Sequence, residues 1–262
     1  AGRHLADDLT LEVDALYNQR DTMQQIAGYP FRSGTVRPGE TKNTLWGQWD
    51  PRIAPDSAFN PYPGETLEYM RRTWEVPRVT DNKATTYRLG AKLAGTFELG
   101  ANHWGWDAGF FQSQFRTVKD GSGNLLLPAA QKATGPSWFN PATNRVECGS
   151  AANPIPYGAS FGNGECVPWN PLVPAGRTDA GSLADPLVQK FLFPIGHDVG
   201  ETETRVYFAN ASGTLAELPA GDLAMAVGYE HRKEKGWFSP DALRQSGLST
   251  DLGSGTTNGE YH

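Results

Sequence analysis

Apolar and polar residues alternate with a period of two along several segments of this chain. Leu223, Met225, Val227 and Tyr229 fall on one side of an extended backbone, and Ala224, Ala226, Gly228, Glu230 and Arg232 on the other. Tyr87, Leu89, Ala91, Leu93, Gly95 and Phe97 repeat the pattern against Arg88, Gly90, Lys92, Ala94, Thr96 and Glu98. An apolar face opposed to a small or charged face predicts strands. Five are expected, at about 9–18, 86–98, 104–117, 203–216 and 223–234. In the first, Leu9, Leu11, Val13, Ala15 and Tyr17 share a side. The fourth is the least regular, because Val206 and Phe208 share a side with Asn210 and Ser212.

The connections also alternate. The second and third strands meet across Gly100-Ala101-Asn102, and the fourth and fifth across Glu217-Leu218-Pro219-Ala220-Gly221-Asp222. Between these pairs lie long segments, 19–85 and 118–202. They hold seventeen of the nineteen prolines, and no expected strand contains one. Proline cannot donate to a ladder, so this partition suits a sheet with large loops. Within the second loop, Asp185-Pro186 followed by Leu187, Val188, Phe191 and Leu192 predicts one short helix, capped by Asp and stopped by Pro194 and Gly196. Short turns on one side and long loops on the other are the pattern of an outer-membrane β-barrel. The expected fold is therefore all-β: an antiparallel meander of about five strands, an incomplete part of a transmembrane β-barrel, with two long external loops and one short loop helix. A single unit spans 1–262.

Composition narrows the functional classes. The mean hydropathy is −0.51, and no run reaches the roughly 20 apolar residues of a membrane-spanning helix. That leaves a barrel open, since its strands hide half their residues from lipid. The net charge of −6 makes nucleic acid a poor partner, because phosphate binding needs clustered Lys and Arg. Cys148 and Cys166 share one Gly/Asn/Pro-rich stretch, which favours a loop disulfide and an oxidising compartment. Ala1-Gly2-Arg3-His4 leads into no apolar core, as expected of a processed chain or an excised piece.

Candidate chemistry is sparse. There is no G-x-S-x-G, H-E-x-x-H or P-loop, and the five histidines lack metal-ligand spacing. No catalytic residue, metal or cofactor is expected, and the protein is read as a non-enzyme. Gly121-Ser122-Gly123-Asn124 lacks the ligands of a calcium loop and reads as a turn. Arg71-Arg72 beside Tyr69 and Trp74 reads as a solvated loop edge rather than an anion grip. The better binding signal is Trp46, Trp49, Trp138 and Trp169, all in the long loops, which pack their own loop or contact a ligand. Arg88, Lys92, Glu98, Glu230 and Arg232 are the candidate lining of a polar lumen. Leu89, Leu93, Phe97, Leu223, Met225 and Val227 are expected to face lipid. Tyr87, Phe97, Trp104, Trp106, Tyr207 and Tyr229 stand where interfacial aromatics belong.

These residues resemble one family in particular. Leu218-Pro219-Ala220-Gly221-Asp222-Leu223, running into 226–234, is similar to a barrel hairpin of TonB-dependent outer-membrane receptors. So is Asn60-Pro61-Tyr62-Pro63-Gly64, followed by a charged stretch and Thr86-Tyr87-Arg88-Leu89. Cys166-Val167-Pro168-Trp169-Asn170-Pro171 resembles an external loop of that family, and Pro240-Asp241-Ala242-Leu243 a later one. The resemblance implies residence in the bacterial outer membrane. It implies uptake of a scarce, bulky nutrient — a ferric siderophore, cobalamin or glycan — driven by the TonB complex. The partners implied are outer-membrane lipid, the nutrient, and TonB through a plug. Neither plug nor TonB box is visible, a terminal aromatic is lacking after Tyr261-His262, and family barrels close with about 22 strands. An internal slice of the barrel is the reading that fits. The alternatives are another outer-membrane barrel such as a porin, or a secreted β-sandwich that binds carbohydrate through loop tryptophans.

Overall fold

In the computed structural model, which describes residues 2–6, 8–34, 49–100 and 102–262, the chain is mostly antiparallel β. Its elements in order are β1 (Gly2–Ala6), β2 (Leu9–Ile26), β3 (Pro30–Arg32), β4 (Met70–Arg72), β5 (Arg78–Leu99), β6 (Asn102–Ser122), α1 (Leu127–Ala133), β7 (Ser137–Asn140), β8 (Arg145–Cys148), α2 (Pro186–Leu192), β9 (Gly196–Leu218), β10 (Gly221–Ser239), α3 (Ala242–Ser246) and β11 (Thr257–Tyr261). One seven-stranded sheet runs β1-β2-β5-β6-β9-β10-β11, and β3-β4 and β7-β8 form two small hairpins. The sheet is open, not closed on itself.

Sequence reasoning expected about five strands and one helix. The large sheet has seven strands, and three α-helices are present among the described residues. The five expected strands are there but far longer: β5 has 22 residues and β9 has 23. The added length lies at the long-loop end. There, Val79, Asp81, Lys83 and Thr85 alternate with Thr80, Asn82 and Ala84, so neither side carries an apolar period to read. These segments are held chiefly by the ladder, in continuous register with β2 and β6.

The meander places its short connections, β1 to β2, β5 to β6 and β9 to β10, at one end. The long connections 27–77, 123–195 and 240–256 leave from the other, and the third of these was not anticipated. The described parts of these connections fold together into one cap. Its core is Phe31, Ile53, Tyr69, Leu125, Leu127, Val167, Trp169, Leu183, Val188 and Leu192. Backbone bonds stitch the three loops to one another. Ala54 N donates to Thr134 O at 2.9 Å, Leu127 N to Leu248 O at 2.8 Å and Thr250 N to Leu125 O at 2.9 Å. The helix at Asp185 forms as its capping residue dictates, the Asp185 carboxylate accepting from Leu187 N at 2.8 Å. Asp241 caps α3 in the same way, and Gly247 ends it in the left-handed region.

Candidate functional site

The register sorts the residues of the sheet onto two faces with opposite chemistry. One face carries Leu9, Leu11, Val13, Ala15 and Tyr17 of β2, and Tyr87, Leu89, Ala91, Leu93, Gly95, Phe97 and Leu99 of β5. Trp104, Trp106, Ala108 and Phe110 of β6 extend it, then Tyr207, Ala209, Ala211 and Gly213 of β9, then Leu223, Met225, Val227 and Tyr229 of β10. Over this stretch no charged residue stands on that face. Tyr17, Tyr87, Leu89, Phe97, Val227 and Tyr229 are all exposed there, and among the described residues no second sheet covers them. The apolar side chains expected to face lipid thus share one uncovered surface.

At the same depth, the opposite face is charged and internally paired. Arg88, Lys92, Glu98, Glu230 and Arg232 all lie on it. Lys92 Nζ is 2.9 Å from Glu12, Arg88 Nε 3.4 Å from Asp14, and Arg232 3.1 Å from Glu230 and 3.7 Å from Glu234. Asn210 donates to Asp107 at 3.0 Å. Val206 and Phe208, which blurred the reading of 203–216, belong here. Phe208 lies across Gly109, where a Cβ would come within 2.9 Å of its ring, and the absence of a side chain gives the ring its seat.

An aromatic row bounds the apolar face on the cap side. Tyr17 packs on Tyr87 with ring centroids 5.2 Å apart, and Phe110 on Tyr207 at 6.3 Å. Tyr229 continues the row. Traced through the register, Tyr17 stands opposite Tyr87, Phe110 and Tyr207 at the level of Ala91, and Tyr229 at that of Leu93. The row therefore shifts six residues over the four strand spacings from β2 to β10. At about 3.3 Å per residue and about 4.8 Å between strands, that is an incline of about 45°. From Tyr87 to Phe97 the strand runs about 33 Å, or about 23 Å measured across such an incline. One of the expected interfacial aromatics is buried rather than exposed. Trp104 is 4% exposed, lying over Gly213 and stacked on Phe97 at 6.1 Å, so it packs the far end of the band.

The loop tryptophans divide. Trp46 lies outside the described residues. Trp49 is half-buried against the cap core, and Trp138 is half-buried with its Nε1 unpartnered. Trp169 is fully buried, 5.6 Å edge-on to Tyr69 and 6.3 Å from Phe31. It is the centre of the cap and offers no surface to a ligand, so of the two roles expected for it the packing of its own loop is the one it fills, and ligand contact is corrected. Burial there also pushes the Tyr69 phenol well up, against the lowering pull of Arg71. Another loop tryptophan, Trp74, does face out, with the Arg72 guanidinium 5.3 Å over its ring. Arg71 is no solvated edge. It is buried, ion-paired to Glu75, and donates to the carbonyls of Pro171 and Val173 in the next loop.

Two covalent or ionic clasps hold the second loop. Cys148 and Cys166 are joined by a disulfide, their Cα atoms 6.1 Å apart. The ring it closes spans 18 residues of sequence separation, for which chain entropy predicts about 3 kcal/mol of stabilisation. Reduction is expected to open the cap without melting the sheet. Proteolysis of 148–166 under reducing conditions, with the strands of the large sheet still protected, checks this. Glu147 is the ionic clasp. Asn140, Thr143 and Arg145 all bond its carboxylate and hold it below the usual glutamate range. A lowered pKa contributes stability that is complete above the unfolded value and is lost as pH falls from about 4.5 through the folded value. Glu147→Gln is expected to flatten the acid limb of the cap's thermal-unfolding profile; an unchanged acid limb would remove Glu147 from that role.

Among the described residues no group of three or more His, Cys, Asp or Glu is placed to hold a metal. Nor, among the described residues, is any helix long and apolar enough to cross a membrane. Compared with known proteins, the chain matches no family model, no curated protein and no solved structure.

Proposed function

We propose that this chain is part of the wall of an outer-membrane β-barrel, and that the barrel is a TonB-dependent receptor taking up a scarce, bulky nutrient. One observation carries the wall: a charge-free apolar face on five adjacent strands, bounded by an aromatic row inclined at about 45°. Barrel strands tilt by roughly 35–45° and bear an outward apolar band about 25 Å tall with aromatic girdles. A water-facing sheet has no use for such an incline, because its hydrophobic boundary follows a packing partner and not a plane. The charged face opposite then lines the lumen, where its ion pairs stay hydrated.

The receptor assignment rests on the resemblance of the 218–234 hairpin and of the 166–171 loop, and on the large folded cap over the lumen mouth. A carbohydrate-binding sandwich would need a second layer on the apolar face, and a passive porin would need no energy source. The test is transport by the intact parent protein in cells. Nutrient-limited growth should require the gene, and it should fail when the proton-motive force is collapsed. Recovery of the protein in the aqueous fraction after outer-membrane preparation would overturn the wall, while uptake indifferent to de-energisation would overturn the receptor.

A further inference from the structure

Four phenylalanines interrupt the charged face: Phe238 on β10, Phe115 and Phe111 on β6, and Phe208 on β9. Traced through the register, they stand at the levels of Ala84, Thr86, Gly90 and Lys92 of β5. The line they form leads away from the cap over about 26 Å of strand. Two of the rings rest on glycine. A Cβ on Gly200 would come within 3.3 Å of the Phe238 ring, as one on Gly109 would come within 2.9 Å of Phe208. Phe111 is covered by the Arg88 guanidinium, 5.3 Å from its ring centre. Phe208 is half-buried, and among the described residues no other ring and no cation packs on it. It adjoins Tyr207, so it stands at the depth of the aromatic row.

Phe208 and Phe111 are the apolar walls of a groove of about 410 Å³, with Glu12, Asp14, Arg88 and Lys92 as its polar walls. Small-molecule sites typically measure about 300–1,000 Å³. Gly90 makes room for one of these polar groups, since a Cβ there would stand 2.4 Å from the Asp14 carboxylate. The charges cancel: Arg88 pairs with Asp14, and Lys92 with Glu12. Asp107, bonded by Asn210, adds a further acid on the same face. The groove therefore has no spare cation with which to draw an anionic guest.

We infer that this groove is a binding site for a neutral saccharide, with Phe208 as its stacking platform. The inference rests on the barrel reading and narrows the nutrient to an uncharged glycan. A pyranose ring has apolar C–H faces and a rim of hydroxyls. Its C–H groups carry partial positive charge and meet the negative face of an aromatic ring. Each hydroxyl both donates and accepts, and a carboxylate beside a cation offers it both partners. Asp14 with Arg88, and Glu12 with Lys92, are two such pairs flanking the Phe208 ring. Phe115 is 41% exposed on the way from the cap, where it gives the next sugar unit an apolar face to lie on. An anionic metal chelate fits worse, because every cation in the groove is already neutralised by an acid.

The test uses the intact parent protein in phosphatidylcholine vesicles, probed with a charged maleimide. Leu93→Cys, on the apolar face, should resist labelling, and Asn210→Cys, beside Phe208 on the other face, should label. Rapid labelling of Leu93→Cys defeats the barrel reading, and the saccharide site with it. Given a shielded Leu93→Cys, neutral glucose hexasaccharides, α-linked and β-linked, are added as probes. At least one should slow the labelling of Asn210→Cys and bind the unmodified protein in calorimetry. Phe208→Ala should raise its Kd about tenfold. Phe139→Ala, an exposed ring in the cap, should leave the Kd unchanged. Binding that survives Phe208→Ala overturns the inference, as does failure of both hexasaccharides to bind. Protection of Asn210→Cys by an anionic ferric catecholate instead of a sugar also overturns it. So does an Asn210→Cys that stays unreactive without any sugar, since the groove is then filled by the protein itself.

Discussion

On the barrel reading proposed above, arginine in place of Leu93 is expected to deplete the membrane-integrated protein, whereas arginine in place of the adjacent Ala94 is tolerated. Leu93 lies midway along the apolar band, opposite Leu11 and Ala108. A charge on the lipid face at mid-depth costs about 2–4 kcal/mol, which is roughly a 30- to 900-fold shift between inserted and uninserted forms. Ala94 is one residue away but on the other face, opposite Thr10 and Asp107. A guanidinium there stays hydrated and gains a carboxylate. The measurement is the yield of each variant resistant to extraction from outer membranes by carbonate. Equal tolerance of both would mean that neither face meets lipid. Equal damage from both would mean that the charged face is packed as well, and the lumen assignment would fall.

That contrast works because period two was legible where one face is apolar. Leu89, Leu93, Phe97, Met225 and Val227 announce both a strand and its orientation, and the register places them together. Legibility stops where the environment becomes symmetric. Past Tyr87 and Tyr17 both faces are polar, so the outer lengths of β2 and β5 carry no amphipathic signal although the ladder is unbroken to Ile26 and Arg78. The cap fails to read for a different reason. Trp169 packs against Phe31 and Tyr69, which belong to the first long connection and lie about a hundred residues or more from it in sequence. A tryptophan between prolines looks the same whether a ligand or another loop covers it. Arg71 gave a faint sign, since the run 69–74 alternates Tyr69, Arg71 and Thr73 against Met70, Arg72 and Trp74. The first set is inside and the second set is more exposed. Six residues of alternation in a Pro/Gly-rich loop are too short to distinguish a hairpin from a coil.

Arg71 also carries the second large expected effect. Its guanidinium and the Glu75 carboxylate are only 8% and 9% exposed, and Arg71 Nε and Glu75 Oε2 remain without hydrogen-bond partners. An ion pair this dry and incompletely bonded gives back little beyond its own desolvation cost. Breaking it is another matter: Arg71→Met leaves a buried carboxylate uncompensated and should destabilise the cap by about 3–5 kcal/mol. Removing both charges, Arg71→Met with Glu75→Leu, should recover most of that loss. It should not recover all of it, because Arg71 also donates to Pro171 and Val173, whose carbonyls belong to another loop. Losing the donor at two such acceptors costs about 1–3 kcal/mol. Urea titration followed by the emission shift that accompanies exposure of Trp169 reads the three states. Full recovery in the double variant would reduce Arg71 to a counter-ion. A residual deficit, with earlier cleavage within 171–184, identifies it as the tie that makes two long loops move as one body.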